Sequence, residues 1–369
     1  MSLTVDQARE ALAQVREPEV GRSIVELGMV EDLEVDDARV SFTLRLMTPA
    51  YAPRDALKAD IDRVLKGAGA AHASITWAYR VTEREIGPDD PCPGVANIIL
   101  VMSGKGGVGK STVATNLAMA LARSGAKTGI LDADMYGPSI PTMFGVNGRP
   151  ASLDGKKFLP LERFGLKLMS IGFMLEDARQ AVVWRGPMLQ SALLQFLKDV
   201  EWGKLDYLVM DLPPGTGDIA LTVSQKLRAT GAIIVTTPQE VALQDVYKSV
   251  SMAQKVGIPI LGVVENESYF VCDGCDKRHE IFGAGGGASI AAFADAPLLG
   301  QIPLIPSVRE WGDAGTPIVQ AAPDSLAAKA LTDVAYKLAG RISAHNLAEG
   351  RSLVIDRSGG KNKHLPIAR

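Results

Sequence analysis

Continuous apolar segments separated by stretches of helical periodicity organise the chain beyond about residue 95. Six of these segments are residues 98–102, 128–131, 166–169, 207–210, 233–235 and 260–264. Strands that are apolar at every position are buried on both faces, which is typical of a parallel sheet covered by helices. The pattern therefore predicts an α/β fold with a doubly wound, mostly parallel sheet.

The first 85 residues show a different pattern, in which helical and strand-like stretches are short. Helical spacing covers residues 5–15 and 54–65, and strand-like runs cover residues 30–35, 39–44 and 73–79. Val40, Phe42 and Leu44 alternate with polar residues, as expected for a sheet with one buried face. This part of the chain, residues 1–85, is predicted to be a small α+β domain.

Composition shifts mark the remaining boundaries of the chain. Residues 86–95 are polar and rich in proline, which is typical of a linker, so the larger domain is predicted to span residues 96–340. Beyond residue 340 the periodicity fades, and Lys and Arg outnumber Asp and Glu. We therefore predict that residues 341–369 form a mobile basic tail.

The charge and the cysteine content exclude several classes of protein. A formal net charge of -3 gives no basic excess of the kind that binds nucleic acid. The amino terminus lacks the layout of a secretion signal, and no apolar run approaches the length of a membrane span. Three cysteines do not make a disulfide framework for a chain of 369 residues. We expect a cytoplasmic protein with neither a nucleic acid nor a membrane as its partner.

A glycine-rich segment, residues 103–111 (SGKGGVGKS), lies between the first apolar strand and a helix predicted over residues 112–124. Its glycines allow successive backbone N–H groups to surround a phosphate. Lys110 supplies a positive charge for the terminal phosphates, and the Ser111 hydroxyl is a ligand for Mg²⁺. The predicted nucleotide-binding residues here are Gly104, Lys105, Gly106, Gly107, Val108, Gly109, Lys110, Ser111 and Thr112.

Carboxylates follow two other predicted strands of the sheet, where ligands of such folds bind. Asp132 and Asp134 follow the second strand, and Asp211 follows the fourth. We predict that Asp134 orients the water that attacks the terminal phosphate, that Asp132 supports it, and that Asp211 belongs to a magnesium shell. Gly215 and Gly217 after Asp211 are predicted to let a backbone N–H approach the γ-phosphate.

Two cysteines three positions apart, Cys272 and Cys275, are candidates for metal chemistry. Their spacing is compatible with a zinc half-site that uses His279 as a third ligand, with a redox pair, or with half of an iron–sulfur site. The third cysteine, Cys92, lies alone between prolines in the linker, and we assign it no metal.

The motifs together resemble a known family. Lys105 beside the first glycine of the loop resembles the second lysine of the dimeric MinD, nitrogenase iron protein and arsenical-pump ATPases, which implies a homodimer in which Lys105 reaches the partner's nucleotide. Residues 104–111, 132–139, 184–188 (WRGPM) and 211–218, with the cysteine pair, resemble the Mrp/ApbC iron–sulfur cluster carrier ATPases.

This resemblance implies an ATPase with Mg²⁺ that carries a 4Fe–4S cluster to apo iron–sulfur proteins. Two copies of Cys272 and Cys275 would hold the cluster at the homodimer interface, because one chain supplies only two of four thiolates. Asn266 resembles the residue that contacts adenine, and Pro303, within residues 301–304, is predicted to close over the base. Glu267 departs from the family, which usually has an apolar residue there.

The amino-terminal segment resembles the small iron–sulfur assembly domain that is fused to some of these ATPases. The resemblance rests on residues 17–19, 23–30 and 47–53. A cysteine that is common in the last motif is absent, since Tyr51 and Ala52 stand there. We therefore expect a docking or regulatory module rather than a second thiol site.

Two other functions compete with a cluster carrier. One is a MinD/ParA-like positioning ATPase with a zinc-stabilised dimer, which would need an amphipathic membrane helix or a basic patch. The other is an NTPase that inserts nickel or cobalt. Such proteins often carry histidine-rich tracts, whereas the four histidines of this chain are scattered.

Overall fold

The computed structural model describes residues 3–134, 137–152, 155–174, 186–215 and 218–350. The amino-terminal part contains α1 (Val5–Leu12), β1 (Val30–Asp36), β2 (Arg39–Leu46), α2 (Arg54–Gly67) and β3 (His72–Tyr79). The larger part contains β4 (Val95–Ser103), α3 (Lys110–Arg123), β5 (Thr128–Asp132), α4 (Ile140–Phe144), β6 (Leu161–Arg163), β7 (Leu166–Ser170), α5 (Gly186–Asp199), β8 (Leu205–Asp211), α6 (Asp218–Lys226), β9 (Gly231–Thr236), α7 (Glu240–Lys255), β10 (Ile260–Glu265), β11 (Phe270–Val271), β12 (Arg278–His279), α8 (Gly286–Ala294), β13 (Leu298–Gln301), α9 (Pro306–Asp313), α10 (Ile318–Ala321) and α11 (Leu326–Ala348).

An eight-stranded sheet forms the centre of the larger part, with the strand order β13-β10-β9-β4-β8-β5-β7-β6. Its neighbouring strands are parallel except for β6, which runs antiparallel to β7. The predicted doubly wound, mostly parallel sheet is confirmed. The sequence pattern did not predict β6 or β13, which are short and partly exposed.

Helices cover both faces of this sheet because its strands are apolar on both sides. Along β4, Ile99 and Val101 pack into a core with α3, α10 and α11, while Ile98, Leu100 and Met102 pack into a second core with α5, α6, α7 and α8. Alternate residues of one strand thus enter opposite cores, as the pleat of a strand requires. In the described part of the chain, no helix is both long and apolar enough to cross a membrane.

The amino-terminal part has its own three-stranded sheet and hydrophobic core. Strand β2 lies in the middle, antiparallel to β1 and parallel to β3. Its buried residues alternate along the strand, with Val40, Phe42 and Leu44 facing α1 and α2. This α+β unit packs at the amino ends of the large sheet, where the Tyr207 hydroxyl of β8 donates a 2.9 Å hydrogen bond to Thr48 Oγ1.

The proline-rich linker is packed against the larger domain. The guanidinium of Arg84 forms a buried ion pair with Asp90 and donates to the Cys92 carbonyl at 3.0 Å. The Cys92 thiol is buried and lies 2.9 Å from the Leu197 carbonyl oxygen, to which it donates. Burial raises the pKa of Cys92 to about 12, so this thiol suits packing rather than metal binding.

The predicted start of the mobile tail at residue 341 is wrong. Helix α11 continues to Ala348, and Ile342, Ser343 and Asn346 on it are buried. The helix continues because these residues keep contact with the core, although Ser343 and Asn346 are polar and so weaken the apolar period. Residues 351–369, the rest of the predicted tail, lie outside the described residues.

The buried amide of Asn346 joins α11 to both parts of the chain. Its Nδ2 donates to Thr82 Oγ1 at 3.1 Å and to Asn97 Oδ1 at 2.9 Å, and Asn97 in turn donates to the Thr82 carbonyl at 2.7 Å.

Asn346→Ala leaves these acceptors buried without that donor, which costs about 1–3 kcal/mol. We expect a lower melting temperature in thermal unfolding. Lys337→Ala, on an exposed face of the same helix, is the control and should change the melting temperature little. Equal shifts for the two variants would contradict the role of the network.

Candidate nucleotide and thiol sites

The glycine-rich loop between β4 and α3 adopts a conformation that only glycine allows at several positions. Gly107 and Gly109 have φ values of 82° and 76°. A Cβ on Gly109 would lie 2.1 Å from Asn266 Nδ2, and one on Gly104 would lie 2.4 Å from the Val246 nitrogen. The loop is therefore packed closely between α7 and the segment after β10, with the first turn of α3 directed toward it.

Lys110 is the charged centre of this loop. Its side chain is only 6% exposed, and Nζ lies 2.5 Å from Asp211 Oδ1 and 3.8 Å from Asp134 Oδ2. The structure thus brings together the loop lysine and the carboxylates after two different strands, which are far apart in the sequence. A buried cation between two acids is placed to exchange one of them for a phosphate group.

Asp132 and Asp211 end neighbouring strands as direct Cα partners, and both are fully buried. Asp132 Oδ1 accepts a hydrogen bond from the Asp134 N–H, while Oδ2 accepts from the Ile140 N–H and the Ser170 hydroxyl. Burial, with a further contribution from Asp211, raises the pKa of Asp132 to about 8. Both oxygens of Asp132 hold the chain around Asp134, which agrees with a supporting role.

Asp211 is suited to a metal ion. Burial raises its pKa, and the Lys110 ammonium opposes that shift. Its second oxygen, Oδ2, has no hydrogen-bond partner among the described residues. A buried carboxylate oxygen without a donor, beside the hydroxyl-bearing Ser111 of the loop, fits the oxygen ligands that Mg²⁺ prefers.

The amide of Gly215, which is predicted to approach the γ-phosphate, is bonded to the backbone of β4 in this structure. It donates a 2.9 Å hydrogen bond to the Ser103 carbonyl, so the start of this segment is tied to the end of β4. Other residues of the sequence motifs lie outside the described residues, namely Met135, Tyr136, Trp184, Arg185, Thr216 and Gly217.

A cavity of about 590 Å³ opens beside the glycine-rich loop. Gly107, Gly109 and Thr112 line it on one side, and Asn266 and Pro303 line it on another. Asn266 Nδ2 donates to the Val108 carbonyl at 3.0 Å, which holds its side chain against the loop. The cavity places both predicted base contacts next to the phosphate site, at a size suited to a small ligand.

Part of the cavity wall comes from residues that the sequence pattern does not predict. Residues of α4 and α9, including Thr142, Val308 and Arg309, complete the wall, and no motif marks them. Glu267 also lines the cavity with φ of 53°, and burial raises its pKa. Gln301 does not line it, since its side chain turns to Glu265 at 2.7 Å.

The cysteine pair lies on a small hairpin after β10. Strands β11 and β12 form only two residue pairs, Phe270 with His279 and Val271 with Arg278. Cys275 is exposed and Cys272 is partly exposed. The Gly274 N–H, and then the Cys275 thiol, lower the pKa of Cys272, which favours its thiolate.

The two thiols find no third ligand nearby. Among the described residues, no three His, Cys, Asp or Glu side chains form a group that could hold a metal ion. His279 therefore does not complete a zinc site with Cys272 and Cys275 in one chain. In one chain the pair therefore supplies two thiols, of which Cys275 is exposed and Cys272 is partly exposed.

The parallel sheet, the glycine-rich loop and the buried Lys110–Asp211 pair define a P-loop NTPase. A family model described as the NUBPL iron-transfer P-loop NTPase matches residues 94–339, and a second one, for an iron–sulfur cluster assembly protein, matches residues 5–77. The chain belongs to the iron-transfer P-loop NTPase family, with an amino-terminal iron–sulfur assembly domain. The resemblance inferred from the sequence motifs is confirmed.

Named relatives are similar over nearly the whole chain. An iron–sulfur cluster carrier protein of Synechocystis is 44% identical, covering 92% of this chain and 98% of its own length. One of Deinococcus radiodurans is 45% identical, covering 93% of this chain and 97% of its own length. A solved nucleotide-binding protein of Archaeoglobus fulgidus in complex with ADP is 42% identical, with a TM-score of 0.53, over 60% of this chain and 87% of that one.

Substitutions in the Lys110–Asp211 pair should affect stability and nucleotide binding differently. Lys110→Met leaves Asp211 buried without its cation, so we expect a loss on the order of 3 kcal/mol in unfolding free energy, together with loss of nucleotide binding. The raised pKa gives the sign of the pH dependence. Because a protonated Asp211 tolerates burial, the loss should be smaller at pH 5 than at pH 8 in thermal unfolding.

The double variant Lys110→Met/Asp211→Asn is the matched control, since it removes both charges. Most of the stability should return, while nucleotide binding measured by titration should not. A double variant as unstable as Lys110→Met would show that the pairing of the two charges is not the cause.

Proposed function

We propose that the chain is an ATP-dependent carrier in which a homodimer holds a 4Fe–4S cluster and passes it to apo-proteins. The observation that carries the proposal is the exposed Cys272/Cys275 half-site, which follows the strand next to the nucleotide cavity. Two half-sites related by a two-fold axis supply four thiolates, the usual ligand set of such a cluster. A cluster between subunits is accessible to an acceptor once the dimer loosens.

ATP is the proposed nucleotide. The loop from Gly104 to Thr112 surrounds the phosphates, with Lys110 at the terminal ones, while the base enters the cavity between Asn266 and Pro303. Ser111 and Asp211 are the proposed ligands of Mg²⁺, which neutralises phosphate charge when bound. The sequence has no Asn-Lys-x-Asp motif of the kind that binds guanine.

Asp134, Asp132 and Lys105 have different proposed roles in ATP hydrolysis. Asp134 lies 3.8 Å from the Lys110 ammonium, close enough to orient a water at the terminal phosphate. Asp132 fixes the backbone of Asp134 through the 3.1 Å hydrogen bond to its N–H. Lys105, partly exposed in the loop, is proposed to reach the nucleotide of the partner subunit, so that hydrolysis depends on the dimer.

A positioning ATPase with a zinc-stabilised dimer is the second candidate, because four thiolates from two chains also make a tetrahedral zinc site. Colour separates the two, since an iron–sulfur cluster absorbs visible light and Zn²⁺ does not. The relatives named as iron–sulfur cluster carriers support the cluster.

The division of labour among the carboxylates is testable by substitution. Asp134→Asn should slow ATP hydrolysis about a hundredfold or more with little change in nucleotide affinity, because orientation of the water matters only in the transition state. Asp211→Asn should instead weaken nucleotide binding only when Mg²⁺ is present. Steady-state hydrolysis and titrations with and without Mg²⁺ measure both effects, and identical behaviour of the two variants would refute the assignment.

Anaerobic reconstitution with iron and sulfide tests the cluster itself. We expect brown protein with about four irons per dimer, and loss of both colour and transfer to an apo-acceptor in Cys272→Ala or Cys275→Ala. Visible absorbance and metal analysis provide the measurement. Cys92→Ala is the control, since this thiol is buried and should leave the cluster in place. Colourless protein with stoichiometric zinc, or a cluster that survives the loss of either hairpin thiol, would overturn the carrier mechanism.

A further inference from the structure

A buried carboxylate outside the nucleotide and thiol sites, that of Glu265, ends strand β10 and is 0% exposed. Its Oε2 accepts a 2.5 Å hydrogen bond from the Gly287 N–H, and its Oε1 accepts from Gln301 Nε2 at 2.7 Å and from the Ser268 hydroxyl. Hydrogen bonds from a backbone N–H to a glutamate side chain are among the stronger ones in proteins. The three donors come from three different segments of the chain.

We call residues 269–285, which carry Cys272 and Cys275 and end where α8 begins, the cysteine loop. Two of the three donors lie on either side of it. Ser268 comes just before the hairpin, and Gly287 lies in the first turn of α8, just after the loop ends. One carboxylate therefore joins the two ends of the segment that carries Cys272 and Cys275. The hairpin itself has only two pairs of facing residues. A hairpin that short is not stable alone, so contacts outside it must hold it in place.

The third donor connects the same point to the wall of the nucleotide cavity. Gln301 ends β13 and leads into residues 302–304, which line that cavity. Hydrogen bonds between main-chain groups continue the connection. The Ile302 N–H donates to the Glu265 carbonyl at 2.8 Å, and the Ser268 N–H donates to the Ile302 carbonyl at 2.9 Å. The Leu304 N–H donates to the Tyr269 carbonyl at 2.7 Å. The base of the cysteine loop is thus part of the structure that forms the cavity.

We propose that Glu265 is a positioning residue that holds both ends of the cysteine loop against the wall of the nucleotide cavity. What the loop holds rests on the proposed function, whereas the contacts of Glu265 do not. Four thiolates from two chains meet one cluster only if each loop has a defined position, because displacement at the base of a loop displaces the sulfurs at its tip. Glu265 acts on the thiols through Ser268 and Gly287 and does not itself touch the cluster.

The test uses the full-length chain with Glu265→Ala and measures amide hydrogen exchange by mass spectrometry. We expect exchange in residues 269–287 to become about tenfold faster or more, because the substitution removes the hydrogen bonds at both ends of this segment. Exchange in α3, which makes no hydrogen bond to the Glu265 side chain, should change by less than about threefold. After reconstitution, a chelator should remove iron about tenfold faster than from the unchanged protein, since the loosened loop exposes the thiolates.

Two further variants grade the effect and guard against misfolding. Ser268→Ala frees only the first end of the loop and should give a smaller increase in exchange. Glu17→Ala is the matched control, because Glu17 is equally buried and accepts from the Tyr51 hydroxyl and the Val20 N–H, both at 2.6 Å, in the amino-terminal domain. It should lower the melting temperature without changing exchange in residues 269–287 or the release of iron.

The outcomes separate this inference from the proposed function. If the unchanged protein takes up no cluster, the carrier function fails, and the exchange measurement still decides the role of Glu265. If exchange in the loop is unchanged in both Glu265→Ala and Ser268→Ala, or rises equally throughout the protein and in Glu17→Ala, Glu265 is not a positioning residue of the loop.

Discussion

The placement of like charges at one buried edge of the sheet constrains the rest of the site. Asp132 and Asp211 end adjacent parallel strands in direct register, without exposure to water, and Lys110 lies 2.5 Å from Asp211. Two buried carboxylates side by side require a proton or a cation, and burial, with a further contribution from Asp211, raises the pKa of Asp132 to about 8. A phosphate that attracts Lys110 leaves Asp211 in need of another cation. With Ser111 and Asp211 as the proposed Mg²⁺ ligands, charge balance links nucleotide binding to metal binding at this site.

The sequence predicted the fold where the pattern is local and left out what depends on tertiary packing. Strands that are apolar at every position, such as β4 and β9, are visible in the sequence because both faces are buried. The short strands β6 and β13 pair with a single neighbour at the edges of the sheet, so their residues are only partly buried and show no comparable pattern. The end of α11 was misplaced because its last turns are buried partly by polar residues, among them Asn346.

The same contrast holds for the site. The glycine-rich loop is one contiguous motif, whereas the cavity is assembled from residues as far apart as Gly107 and Leu331. The approach of the Gly215 amide to a phosphate stays a prediction, and in this structure that amide is bonded to the Ser103 carbonyl. Glu265 did carry a signal that was not used, since it ends an apolar strand as Asp132 and Asp211 do. An acid in that position is buried and must find donors, and for Glu265 they come from both sides of the cysteine loop and from Gln301.

The amino-terminal domain and the cysteine loop lie at opposite ends of the strands. The domain contacts Tyr207 and Asn97 near the starts of β8 and β4, while the loop follows the end of β10. Within one chain, the parallel strands therefore separate the assembly-like domain from the thiols by the depth of the sheet. Glu19 of this domain packs on Gly340, where a Cβ would lie 2.9 Å from its Cδ, so the contact with α11 is close and specific. A domain fixed in this way, with the Tyr51 hydroxyl bonded to the buried Glu17, fits the predicted docking or regulatory module, and that role stays a prediction.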